Sequence, residues 1–220
     1  AQADLVQDAY DQTGIFADEE EDRGFGAVAA LYTETCQVVV RADSDIRSIE
    51  DLHGRTVSIG AEESGSEQNA LQILSAYGLN DKMGSMVNLN YEDAAAQLKA
   101  GRVDAIFMTV GAPSPVLTAL AGECGIRLLN VDGAAAQRLQ SAYSAYSGVT
   151  LPAGTYPGQT EEVQTVGVKA VLLASNALPA KQVQQLTQLL FSSREGLEEQ
   201  LGIPLDPEEN AVEGVGIPFQ

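Results

Sequence analysis

Apolar positions along this chain change period several times, and each change marks an element. "QADLVQDAYDQTGIF" places Leu5, Val6, Ala9 and Tyr10 on one helical face, and Thr13-Gly14 stops the pattern. "FGAVAALY" and "CQVVVRA" then read as two strands, the second rich in Val. "IRSIEDL" is a short helix and "RTVSIG" a strand. "SEQNALQILSAYG" is a helix ended by Gly78, and "MVNLNY" is a strand. "YEDAAAQLKAG", "APSPVLTALAG" and "GAAAQRLQSAY" read as helices alternating with the strands "VDAIFMT" and "IRLLNV". Such β-α alternation predicts a parallel sheet covered by helices, here over residues 42 to 150.

The flanks differ. "GVTLPAGTYPGQTEEVQT" is rich in Gly, Pro and Thr and reads as a long loop; "TVGVKAVLLAS" is a strand. "PAKQVQQLTQLLFSSREGLEEQ" is an amphipathic helix with Val183, Leu186, Leu189 and Leu190 on one stripe. Residues 202 to 220 hold three of the eight prolines and look irregular. Lobe 2, residues 42–150, is therefore predicted as an insertion into lobe 1, built from residues 1–41 and 151–220. The chain would cross between them near residues 38 to 42 and 150 to 166. Clefts between such lobes commonly bind small molecules.

Charge and composition narrow the functions. The 220 residues carry a net charge of −19, with 45% apolar residues and no Trp. That composition is globular, and the acidic surface repels phosphate backbones, so no nucleic-acid partner is expected. The acidic run "ADEEED", residues 17 to 22, reads as a solvated loop, since it lacks EF-hand spacing. No apolar run approaches the ~20 residues of a membrane span. No signal peptide is visible. Cys36 and Cys124 have no metal-ligand spacing. Cys36 precedes the strand entering lobe 2, and Cys124 lies at the opposite end of a strand roughly 20 Å long. A disulfide needs Cα atoms within about 7 Å, so two free thiols are expected.

"VSIGAEESGSEQNALQIL", residues 57 to 74, raises the question of chemistry. Ligands of parallel sheets sit beyond the carboxyl ends of the strands, where this strand gives way to a helix. Ser64 and Glu67 fit the capping box S-x-x-E. Gly65 leaves the turn bare, and the first amides of the helix suit a carboxylate or phosphate. "MTVGAPSPV", residues 108 to 116, is a second loop of this kind, with Thr109, Gly111, Ser114 and a Pro115 suited to a first helical turn. P-loop spacing is absent from both.

These segments, taken in order, resemble the TAXI family of solute receptors serving TRAP-type transporters, which are type II periplasmic binding proteins. The resemblance is carried by "QADLVQDAYDQTGIF", "AALYTETCQVVVRADSDIRSIEDLHGRTVSIGAEESGSEQNALQIL", "AAAQLKAGRVDAIFMTVGAPSPVL" and "TVGVKAVLLAS". It implies an α/β fold of the type II periplasmic-binding-protein kind: two lobes with parallel-type sheets joined by hinge strands. The family normally has strands and helices before the equivalent of Gln2 and continues past residue 219. By that comparison the first lobe is incomplete, and either missing chain or a second copy in a homo-dimer would cover it.

The resemblance further implies a small carboxylate ligand, such as glutamate or a dicarboxylic or keto acid, with no cofactor or metal. Membrane permease subunits would be its partners, in the periplasm or outside the cell. Carried over by position, the ligand contacts are Gln2, Asp4, Tyr32, Ser64, Gly65, Ser66, Glu67, Asn69, Thr109, Val110, Gly111, Ala112 and Pro113. Of these, Glu67 has a competing role as a helix cap. An enzyme is not expected, because the only histidine, His53, falls in a helix-to-strand turn away from the loops. The effector domain of a transcription regulator and an enzyme on the same two-lobed fold are the alternatives. An upstream signal peptide would mark a receptor, and an upstream DNA-binding segment a regulator.

Overall fold

Strand β1 (Phe25–Arg41) runs seventeen residues without interruption, where the sequence predicts two strands. Its middle, residues 31 to 34, is half-exposed, while residues 26 to 30 and 35 to 40 are buried. That polar middle contains neither Gly nor Pro to supply a turn, so the backbone stays extended and only its surroundings change. Ala27 and Ala30 enter one core and Val39 another.

The computed structural model describes residues 1–18 and 23–220, so most of the acidic run, residues 19 to 22, lies outside the described residues. The chain divides into two compact units, Ala1–Glu34 with Val168–Gln220, and Thr35–Gly167. Both passages from one to the other fall inside strands, in β1 and in β7 (Val163–Ser175).

The unit Thr35–Gly167 holds β2 (Thr56–Ser58), α2 (Gly65–Ala76), β3 (Ser85–Val87), α3 (Tyr91–Lys99) and β4 (Ala105–Val110). After these come α4 (Pro115–Cys124), β5 (Ile126–Leu129), α5 (Gly133–Ala142) and β6 (Ser147–Leu151). β2 pairs in parallel with β3 and β4. β1 lies antiparallel between β4 and β5, so β5 shares the direction of β4. The expected parallel strands are present, but β1 makes the sheet mixed. β6 pairs antiparallel with β7, inside what the sequence reads as a long loop. β7 is the next strand in the chain, but the Gly, Pro and Thr around β6 carry no strand pattern that reveals the pair. "IRSIEDL" forms only a 3-10 turn, Glu50–Leu52, with Ile46, Ile49 and Leu52 buried beneath it.

Helices cover this sheet because their apolar stripes meet its buried residues. Ile106 and Met108 of β4 share one core with Leu98 of α3 and Leu117 of α4. α2 packs on β4 and α5, burying Ala70, Ile73 and Leu74. Each such Ile or Leu contributes roughly 1.5–3 kcal/mol before the entropy of ordering is subtracted.

In the other unit, α1 (Ala3–Asp11) packs Ala3 and Val6 against Ala27, Ala30 and Val171. Val215 and Ile217 complete that core, so the irregular terminal segment still contributes apolar packing. The expected single amphipathic helix is two, α6 (Ala180–Ser192) and α7 (Arg194–Leu201). Of its stripe only Val183 is buried, while Leu186 and Leu189 are 44% and 63% exposed. Cys36 and Cys124 are free thiols. No helix among the described residues is long and apolar enough to cross a membrane.

Candidate functional site

In the unit Thr35–Gly167 both expected loops stand at the same edge of the sheet. The register Ser58↔Ile106 aligns β2 and β4, so both strands deliver their carboxyl ends there. Ser64 caps α2, its Oγ accepting from the Glu67 amide at 3.2 Å. Glu67 returns the cap one residue further out, accepting from the Glu63 amide at 2.7 Å, and its other oxygen accepts from Asn88 Nδ2 at 2.6 Å. Both Glu67 oxygens therefore hold the turn in place. The Gly65 and Ser66 amides precede the capped one in the first turn, where a helix offers no partner of its own.

Gly60 fits this turn into place. It has φ +104°, and a Cβ there would stand 2.8 Å from Ser66 Cβ and 2.9 Å from the Glu67 amide nitrogen. Only a residue without a side chain lets the end of β2 pass this close under the start of α2.

The two loops are joined by a ring of hydrogen bonds. The Thr109 amide donates to Ser66 Oγ at 3.0 Å, and the Tyr91 hydroxyl donates to the Thr109 carbonyl at 2.8 Å. Ser66 Oγ and the Tyr91 hydroxyl are 2.7 Å apart. Each hydroxyl has one proton, and that of Tyr91 goes to the Thr109 carbonyl, so Ser66 donates to Tyr91. The Ser66 proton is thereby committed within the protein, and Ser66 is 3% exposed. The Thr109 hydroxyl also turns inward, donating to Cys36 Sγ at 3.5 Å.

The far end of the second loop is tied to β1. Gln37 Nε2 donates to the Val110 carbonyl at 3.3 Å, and the Ser114 amide donates to the Tyr156 hydroxyl at 2.9 Å. That hydroxyl donates on to Gln37 Oε1. Burial pushes the Tyr156 phenol above its ordinary value, which keeps the proton in place for this bond. Gly111 is buried, Ala112 half-buried and Pro113 exposed, with the Ala112–Pro113 peptide cis. Pro115 opens α4 as expected, but Ser114 makes no side-chain cap bond. Asn69 is fully buried and donates to the Tyr146 hydroxyl at 2.6 Å.

Gln2, Asp4 and Tyr32 belong to the other unit. Gln2 precedes α1 and bridges to Ala170. Asp4 is in the first helical turn, half-buried. The Tyr32 hydroxyl donates to Glu34 Oε1 at 3.4 Å. Burial pushes the Glu34 carboxyl above its ordinary value, the Tyr32 bond opposes this, and the charge of Asp4 adds to it.

Sequence reasoning missed Glu34, Gln37, Tyr91 and Tyr156. Gln37, Tyr91 and Tyr156 are polar residues whose bonds join positions distant in the chain, and Tyr91 looks like an ordinary first helical residue in "YEDAAAQLK". Hollows of about 380 and 400 Å³ in this unit lie elsewhere, lined by charged side chains such as Arg47 and Arg138 in the first and Arg41 and Asp43 in the second. Neither includes the ring residues. His53 is exposed.

Several solved structures align with this chain. The alkanesulfonate-binding protein SsuA from Xanthomonas axonopodis pv. citri, bound to MOPS, aligns at 20% identity over 93% of this chain and 61% of its own, with a TM-score of 0.52. The aliphatic sulphonate binding protein SsuA from Escherichia coli aligns at 20% identity over 82% and 56%, with a TM-score of 0.47. A putative L-cystine ABC transporter protein from Listeria monocytogenes aligns at 17% identity over 80% and 61%, with a TM-score of 0.49. The chain thus spans less than two thirds of the length of these proteins. The mixed α/β fold is that of type II periplasmic binding proteins. The profile of the NMT1-like family matches residues 1–219, and the chain belongs to that family.

Proposed function

We propose that this chain is an extracytoplasmic solute-binding protein that captures a small carboxylate for a membrane transporter of the TRAP type, as a member of the TAXI subfamily. The acid is glutamate-like, dicarboxylic or a keto acid. The observation that supports this best is the junction of two loops at one sheet edge, with the first-turn amides of α2 beside it. Such amides carry partial positive charge and suit a carboxylate. They also offer a local attraction on a chain whose net charge of −19 repels anions at long range.

The contacts proposed within the unit Thr35–Gly167 come from the turns Ser64 to Ser66 and Thr109 to Pro113, with Glu67 and Asn69 supporting them. Gln2, Asp4 and Tyr32 are proposed as ligand residues of the unit that contains them. Bound acid is released unchanged, so the protein is not an enzyme. The protein works outside the cytoplasm, free or tethered to the membrane.

Native mass spectrometry of the purified chain tests this reading, followed by calorimetric titration with glutamate, 2-oxoglutarate, succinate and an alkanesulfonate. A retained or titrated carboxylate recovered intact is expected. A panel in which only the sulfonate binds, or in which an acid is turned over, would overturn it.

A further inference from the structure

The Thr109–Ser114 loop is held at both ends by a phenol that is not itself at the proposed anion contacts. At its start, the ring Thr109 amide to Ser66 Oγ to Tyr91 hydroxyl to Thr109 carbonyl closes on itself. At its end, Tyr156 accepts from the Ser114 amide and donates to Gln37, which donates to the Val110 carbonyl. Tyr156 is 1% exposed and Ser66 3%, so neither hydroxyl competes with water for these bonds. Each link leaves a donor with one acceptor, which fixes the proton positions around both circuits.

We infer that Tyr91 and Tyr156 are the positioning residues of the candidate anion site, and that Ser66 joins its two loops rather than contacting the ligand through its hydroxyl. This rests on the solute-binding reading given above. The ligand then meets peptide N–H groups whose spacing the two phenols set. Deleting either hydroxyl leaves the donors in place but lets their spacing vary, which weakens a site built on preorganised geometry.

The test compares Tyr91→Phe and Tyr156→Phe with Ile126→Val, a change in the same core that takes no part in the hydrogen bonds of either circuit. Affinities for glutamate, 2-oxoglutarate and succinate are measured by calorimetry, and exchange of the Thr109 amide by NMR without ligand. Each Tyr→Phe change should weaken binding about fivefold, the equivalent of about 1 kcal/mol for one hydrogen bond. The loss should lie in faster dissociation, while Ile126→Val binds as the parent does. In Tyr91→Phe the Thr109 amide should exchange several times faster, with core amides of β2 unchanged.

Equal losses in Ile126→Val, or parent-like affinity in both Tyr→Phe variants, would overturn the assignment. If the parent binds none of the acids, the solute reading fails, and the exchange measurement still decides. A Thr109 amide that exchanges at the parent rate in Tyr91→Phe removes the positioning role.

Discussion

Replacing Gly60 with Ala tests the turn on which the proposed site is built. Two costs add. The backbone has φ +104°, a region that L residues avoid by about 1–2 kcal/mol or more. The new Cβ would also stand 2.8 Å from Ser66 Cβ, 2.9 Å from the Glu67 amide nitrogen and 3.1 Å from Ser64 Oγ. One of these is backbone, so the first turn of α2 must move, and overpacking of this kind costs about 1–3 kcal/mol. The expected total is about 3 kcal/mol, a fall in Tm of roughly 6–12 °C for a chain of this size. Gly54→Ala is the control, with φ +74° and nothing within 4 Å of its Cβ. It carries the backbone cost alone, about 1 kcal/mol. Urea unfolding followed by far-UV circular dichroism compares the two. A Gly60→Ala loss within about 0.5 kcal/mol of the Gly54→Ala loss would refute the steric argument. The shifted turn should also weaken acid binding, which Gly54→Ala leaves intact.

Other substitutions probe the rest of the molecule. Ser58 is fully buried and its hydroxyl has no hydrogen-bond partner among the described residues, so Ser58→Ala should stabilise by about 1 kcal/mol in urea melts; a comparable loss would show that the hydroxyl is satisfied in solution. Burial holds the Glu34 pKa above its ordinary 4.5, so its contribution to stability is present below pH 4.5 and is lost as pH rises through the folded value. Glu34→Gln should therefore gain on the parent between pH 4 and pH 7 in thermal melts, and a difference independent of pH would contradict this. Lys169 and Asp206 pair at 2.6 Å with side chains only 17% and 20% exposed. Asp206→Asn should cost about 2 kcal/mol in urea, against under about 1 kcal/mol for Asp43→Asn in the exposed Arg41–Asp43 pair, and equal losses would argue against the burial effect.

Local signals in the chain read well. The Ser64 cap, Pro115 at the start of α4 and the strands of the middle unit follow from residue chemistry within a few positions. Elements whose partners are far away read poorly. The polar middle of β1 suggests a break, yet it is where one strand passes from one core to another. β6 hides for another reason: its stretch is rich in Gly, Pro and Thr, although its partner β7 is the next strand in the chain. The same distinction holds at the site. The sequence singles out Ser66 and Thr109 as polar groups at turns. It does not show that their side chains face inward, because Tyr91 and Cys36 take those bonds through tertiary contacts. The stripe on α6 is legible as a pattern, but only Val183 is covered within its unit.

The most direct test follows backbone amide resonances of the full chain during titration with glutamate, 2-oxoglutarate and succinate. Saturable shifts are expected at Gly65, Ser66, Val110 and Gly111 with at least one acid, which require both loops to sense the same ligand. Saturable binding that shifts amides elsewhere and leaves both loops unmoved would contradict this.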